Sequence, residues 1–78
     1  MKGEKLLIRG DTTGKRIRYA RIMLGITQTD LGKRCGMADS QIGAYERDEV
    51  NPRPESLKRV AEALGVDTRE LTTGKEQR

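Results

Sequence analysis

Chemistry has few places to reside in this 78-residue chain. It contains no histidine and a single cysteine, Cys35. A Ser-His-Asp triad, a Cys-His pair and a zinc site of the Cys/His kind are therefore all excluded. So is an internal disulfide, which points to a reducing compartment or to a fold that needs no oxidation. No enzyme is expected, and neither a cofactor nor a metal. What remains is binding chemistry: sixteen Lys and Arg against twelve Asp and Glu leave a net charge of +4, with a pI near 9.6. Such a chain favours polyanions, and nucleic acid is the first partner to test. Its 36% charged and 33% hydrophobic residues also approach the composition of chains that cannot bury enough surface to fold. Pattern has to decide between these readings.

The pattern is helical. Gly25, Gly36, Gly65 and Gly74 each follow a stretch with apolar residues three and four apart, where a left-handed terminating residue is wanted. The apolar positions are Ile17, Ala20 and Leu24, then Leu31 and Cys35, Ile42 and Tyr45, then Leu57, Val60, Ala61 and Leu64, and last Val66 and Leu71. Starts are as legible as stops. Thr27 followed by Gln28-Thr29-Asp30 forms a capping box, and Asp67 with Glu70 repeats it. Pro54 suits a first helical position, with Glu55 at the positive end of the dipole. Cys35, four residues from Leu31 on the inward stripe, reads as a small core residue rather than a redox sensor. The expectation is an all-α fold of five short helices over residues 13–74, with a charged N-terminal arm (1–12) and a C-terminal tail (75–78). The arm holds the one β-like run, Leu6-Leu7-Ile8, and is left unassigned. That run is far short of a signal-peptide core or a membrane span, so a soluble, cytoplasmic protein is expected, without membrane association.

The second and third helices, each of about eight residues, are joined by Gly36-Met37-Ala38, a connection that lets a helix pair pack steeply as a helix-turn-helix. Spacing alone leaves a DNA-binding unit and a generic all-α fold both open. Particular residues add to it: Leu24-Gly25-Ile26-Thr27-Gln28, Leu31-Gly32-Lys33-Arg34-Cys35-Gly36, Ile42-Gly43-Ala44-Tyr45-Glu46-Arg47, Pro52 and Ala63-Leu64-Gly65-Val66. In this order, between Lys15 and Gly74, they resemble the lambda-repressor/Cro-like (Xre-type) helix-turn-helix family. The resemblance implies a compact five-helix domain whose third helix enters the major groove while the second crosses the backbone above it.

Carried over position by position, the resemblance assigns base reading to Ala38, Asp39, Ser40, Gln41, Gly43 and Ala44, with Ile42 and Tyr45 turned inward. Gln41 suits adenine, Ser40 a base edge or phosphate, and Ala38 or Ala44 a thymine methyl. Asp39 is either a reader of cytosine or, more in keeping with Ala38 before it, the helix cap. Thr27 and Gln28 open the second helix, where free amides and the dipole await a phosphate. Further phosphate contacts are expected from Arg16, Arg18 and Arg21, from Lys33 or Arg34, and from Arg47, Asn51 and Arg53. Glu46 ends the third helix, where an acid is unfavourable, and the resemblance implies an ion pair with Arg21 that clamps helix one to helix three. Gly32 replaces the family's usual alanine, which implies close approach of helix three.

A second departure weakens the loop after helix three. Asp48-Glu49 stands where the family tends to have glycine followed by basic residues. Cations in the arm and first helix, with acids at 39, 48 and 49, imply modest, salt-sensitive affinity. The function implied is a sequence-specific transcriptional regulator, most simply a repressor, binding double-stranded DNA as a homodimer on palindromic half-sites about one helical turn apart. The last helix, with Leu71 nearly alone, is poor in apolar residues for a firm dimer interface. Dimerisation is then either weak and DNA-assisted or aided by the arm. The alternative is an antitoxin or protein-interaction module on the same fold, with a toxin or polymerase as partner.

Overall fold

A computed structural model describes residues 8–72. It consists of α1 (Thr13–Leu24), α2 (Gln28–Cys35), α3 (Asp39–Glu46), α4 (Pro54–Leu64) and α5 (Thr68–Thr72), and contains no strand among the described residues. Helices this short are marginal in isolation. Tertiary packing holds them together: the largest fully buried side chains are Ile17, Leu31, Ile42, Val60 and Leu71, one from each helix. Burying an aliphatic side chain of this size contributes about 1.5–3 kcal/mol. Even the five-residue α5 is thus held by Leu71.

Local signals set the ends. Thr27 accepts the Asp30 N–H at 3.0 Å while the Asp30 carboxylate accepts the Thr27 N–H at 3.1 Å, which closes the expected capping box. Those bonds hold the Asp30 carboxyl below its ordinary pKa, the Thr27 backbone bond being the larger cause. The box expected of Asp67 and Glu70 is only half formed: Glu70 accepts the Asp67 N–H at 3.4 Å, but Asp67 accepts from the Arg69 N–H instead of that of Glu70. Pro54 opens α4, and Gly25, Gly36 and Gly65 terminate α1, α2 and α4. Gly74 and the tail at 75–78 lie outside the described residues, as do residues 1–7 of the arm.

Several expectations need correction. Ile8, assigned to the arm, is buried within the core, so packing begins before α1. Leu24 is 46% exposed, because it falls on the last turn of α1 beyond the reach of the other helices. Arg16, expected at a phosphate, engages its guanidinium within the fold. Its guanidinium donates to the Gly10 carbonyl at 3.0 Å and to the Leu71 and Thr72 carbonyls at 3.1 and 2.7 Å. It thereby caps the C-terminal end of α5, where a cation is favoured. Cys35 is buried as expected, and burial pushes its thiol pKa up.

Candidate nucleic-acid interface

The turn between α2 and α3 is built around two glycines. Gly36 ends α2 in the left-handed conformation at φ 75°, which glycine adopts without steric cost. Gly32 lies in the helix interior because the chain folds back across it. A Cβ there would stand 2.5 Å from the Met37 carbonyl oxygen. The Met37 N–H also donates to the Gly32 carbonyl at 2.8 Å. The close approach expected of helix three is therefore made chiefly by the turn leading into it.

α3 has little local support. Its N-cap, Ala38, makes no side-chain cap bond, and its C-cap, Arg47, is not left-handed. The reading of Asp39 as the cap is thus wrong: Asp39 is the first residue of α3, and its carboxylate accepts the Thr29 hydroxyl at 3.1 Å. The bond ties the start of α3 to the first turn of α2. At the other end, Glu46 is buried. The Arg21 guanidinium clasps its carboxylate with two bonds, at 2.7 and 3.1 Å, a geometry stronger than a single contact. The third arm of Arg21 donates to the Ile26 carbonyl at 2.9 Å. Gln28 completes the group by donating to Glu46 at 3.1 Å. The expected Arg21–Glu46 pair is present, but Arg21, with its side chain 12% exposed and its donors engaged, is withdrawn from the phosphate-contact set. Gln28 is instead the member at the edge, half-buried at the N-terminus of α2.

Among the expected base readers, Ala38, Asp39, Ser40 and Gln41 are exposed, and Ala44 is partly so. Gly43 is buried beneath Gln28 and Arg47; a Cβ there would lie 3.0 Å from the Arg47 guanidinium, which removes Gly43 from the readers. Ile42 and Tyr45 face the core. The Gln41 amide nitrogen donates to the Tyr45 hydroxyl at 2.8 Å, which steadies the side chain and leaves its oxygen outside that bond. Thr27, Arg18, Lys33, Arg34, Arg47, Asn51 and Arg53 are all exposed. Arg47 pairs with Glu49 at 2.8 Å, which raises the arginine pKa and lowers that of the glutamate. Both side chains are more than half exposed, so water and salt screen the pair and leave Arg47 able to exchange partners.

Asp48 was expected only to weaken the loop; its bonds to α1 went unseen. It takes a left-handed conformation, φ 61°, and its carboxylate turns back to α1, accepting the Thr12 hydroxyl at 2.7 Å and the Gly14 N–H at 3.2 Å. A signal was available: an Asp at a glycine position tolerates positive φ when its side chain finds a local bond. Gly14, in the first turn of α1 where no left-handed residue is needed, was a second signal. Its Cβ would collide with the Tyr45 carbonyl oxygen.

Among the described residues, no group of acidic or thiol side chains could hold a metal, and no helix is long and apolar enough to cross a membrane. The helix-turn-helix family model matches residues 17–71. The immunity repressor protein of Bacillus phage phi105 is 36% identical over 55 residues, covering 70% of this chain and 38% of that protein. Repressor protein C2 of Salmonella phage P22 is 41% identical over 51 residues, covering 65% of this chain and 24% of that protein. The chain therefore spans well under half the length of these two repressors. Among solved structures, the P22 c2 repressor in complex with a synthetic operator superposes with a TM-score of 0.80 at 35% identity, covering 85% of this chain and 100% of that one. The restriction-modification controller protein C.AhdI from Aeromonas hydrophila gives a TM-score of 0.73 at 32% identity, covering 76% and 86%. Five helices in this order, a buried acid clasped by an arginine of α1 and a match across most of the core make this chain a member of the lambda-repressor-like (Xre-type) helix-turn-helix family.

Proposed function

We propose that the chain is a sequence-specific transcriptional regulator of the repressor type, which lays α3 in the major groove of a palindromic operator and acts as a homodimer. The observation that carries this reading is the Arg21–Glu46–Gln28 group. It couples the phosphate-ready N-terminus of α2 to the far end of α3, so that gripping the backbone orients the reading face. That face is made of Ala38, Ser40, Gln41 and Ala44, short and neutral, with Asp39 partly occupied by Thr29. Phosphate contacts fall to Thr27, Gln28, Arg18, Lys33, Arg34, Arg47, Asn51 and Arg53. The P22 c2 structure, solved on its operator, supports the same placement here.

The acids Asp39, Asp48 and Glu49 near the reading face are what would favour an antitoxin or interaction module. Each of them has an internal partner: Asp39 with Thr29, Asp48 with Thr12 and Gly14, Glu49 with Arg47. The motive for that alternative is thereby weakened. Leu71, the apolar residue of α5, is fully buried, which supports assembly on DNA over a firm dimer in free solution. Selection of bound sequences from a random DNA pool tests the proposal. A palindrome with half-sites about one helical turn apart is expected, with affinity falling by orders of magnitude between low and moderate salt. A chain that enriches no sequence, or whose binding ignores salt, is not such a regulator.

A further inference from the structure

We propose that Asp48 is a positioning residue, which locks the end of α3 to the start of α1 and so sets the direction in which the loop bearing Asn51 and Arg53 leaves the recognition helix. The functional half of this inference rests on the DNA-binding reading above. Three backbone bonds close α3: Arg47 N–H to Gly43, Asp48 N–H to Tyr45 and Glu49 N–H to Ala44, at 3.0, 3.0 and 2.9 Å. The chain then turns through Asp48 at φ 61°. A glycine would hold that turn at no steric cost; aspartate holds it by reaching across to α1.

The receiving end is shaped for that carboxylate. α1 has no acidic residue in its first turn, and Asp11 just before its cap is paired with the Lys15 ammonium at 3.3 Å, which leaves a place for a further anion at the free amides of the positive end. Thr12 accepts the Lys15 N–H at 3.1 Å and passes its own hydroxyl hydrogen to Asp48 at 2.7 Å. The Gly14 N–H goes to the other carboxylate oxygen. Gly14 bears no side chain where the Tyr45 carbonyl of α3 closes on it. Thr12, Gly14 and Asp48 thus form one junction, in which a charge placed 34 residues along the chain caps α1. The same contact turns the carboxylate toward α1, although it belongs to a loop rich in expected phosphate ligands.

Two readings of Asp48 predict opposite signs for Asp48→Gly. If the acid merely repels phosphate, glycine relieves both charge and backbone, and binding tightens. If it positions the loop, binding weakens even though a negative charge has been removed. We expect Asp48→Gly to bind the duplex recovered by selection about tenfold more weakly, a loss of 1.4 kcal/mol, as read by fluorescence anisotropy. In the free protein, the Gly14 amide should exchange with solvent at least about tenfold faster, and the amide shifts of residues 49–53 should move. Asp48→Asn should restore most of both properties, since asparagine tolerates positive φ and keeps an oxygen for the Gly14 N–H. Equal or tighter binding by Asp48→Gly, or unchanged Gly14 exchange, overturns the proposal. Should the wild-type chain bind no duplex at all, the regulator reading fails, while Gly14 exchange and the loop shifts still decide the junction.

Discussion

Replacing Arg21 by alanine is expected to cost about 3 kcal/mol of folding stability. The Glu46 side chain is 2% exposed, so water cannot readily take over what the guanidinium supplied. The substitution removes both bonds at 2.7 and 3.1 Å and leaves the Gln28 amide at 3.1 Å as the remaining donor to the carboxylate. It also strips the Ile26 carbonyl of its donor. Removing one member of a buried pair costs about 3–5 kcal/mol, most of it the penalty of the charge left behind. The Arg21 side chain is 12% exposed, which lets some water enter and places the value at the lower end. In a domain of this size, each kcal/mol moves the midpoint by about 4–8 °C, so Tm should fall by about 12–24 °C. Urea unfolding monitored by circular dichroism measures the loss directly, with the slope unchanged if the native fold survives. Arg21→Lys should fall between, keeping charge without the two-pronged geometry. The double variant Arg21→Ala/Glu46→Ala should lose about 1–3 kcal/mol less than the two singles summed, since it leaves no orphaned charge. An Arg21→Ala loss below about 1 kcal/mol, typical of an exposed pair, refutes the reasoning, as does simple additivity.

Gly14→Ala should destabilise the fold by about 1–3 kcal/mol despite a helix-propensity gain of about 1 kcal/mol, because the added methyl meets the backbone carbonyl of Tyr45. Thermal unfolding showing equal or greater stability would remove the close approach of α1 and α3 from the account. The hydrogen bonds from Thr27 hold the Asp30 carboxyl below its ordinary pKa. A folded-state pKa below the unfolded one contributes stability above the unfolded value, about 4, and loses it as pH falls through the folded value. Denaturant midpoints measured below about pH 4 should therefore decline less steeply in Asp30→Asn than in the parent chain, and parallel curves would speak against the box. For recognition, Gln41→Ala should relax preference at one base position by about 1–3 kcal/mol. Arg18→Ala should weaken all sequences alike and lower the salt slope by about one. Competition binding with single-base variants distinguishes them, and uniform weakening by Gln41→Ala would exclude it as a reader.

Helix number, most of the core and nearly all the helix ends were legible in the sequence. The Thr27–Asp30 box, the Asp67–Glu70 bond, the terminating glycines and Pro54 act over a few residues. A signal of that range is written in consecutive letters. α3 is the exception that shows the limit: its N-cap makes no side-chain bond, its C-terminal turn closes around left-handed Asp48, and its long-range anchors are Asp39 reaching Thr29 and Glu46 reaching Arg21. The pair was found through family resemblance. Nothing local announced the bond to Thr29, and the same position was mistaken for a cap.

Charged side chains were where sequence reasoning failed, and the cause is their reach. Arg16, Arg18 and Arg21 belong to one helix and carry one charge each, yet Arg16 caps α5, Arg21 is taken up by a buried acid and Arg18 stays exposed. Rotation around α1 turns them toward different neighbours. Which neighbour stands there is settled only when residues 25, 36 or 55 positions apart are packed together. Absence of histidine, a single thiol and a modest positive charge pointed away from histidine- and thiol-based catalysis and toward a polyanion. Tertiary structure decided which cations remained free to meet it, because a long side chain's partner depends on packing geometry that no run of neighbouring residues encodes.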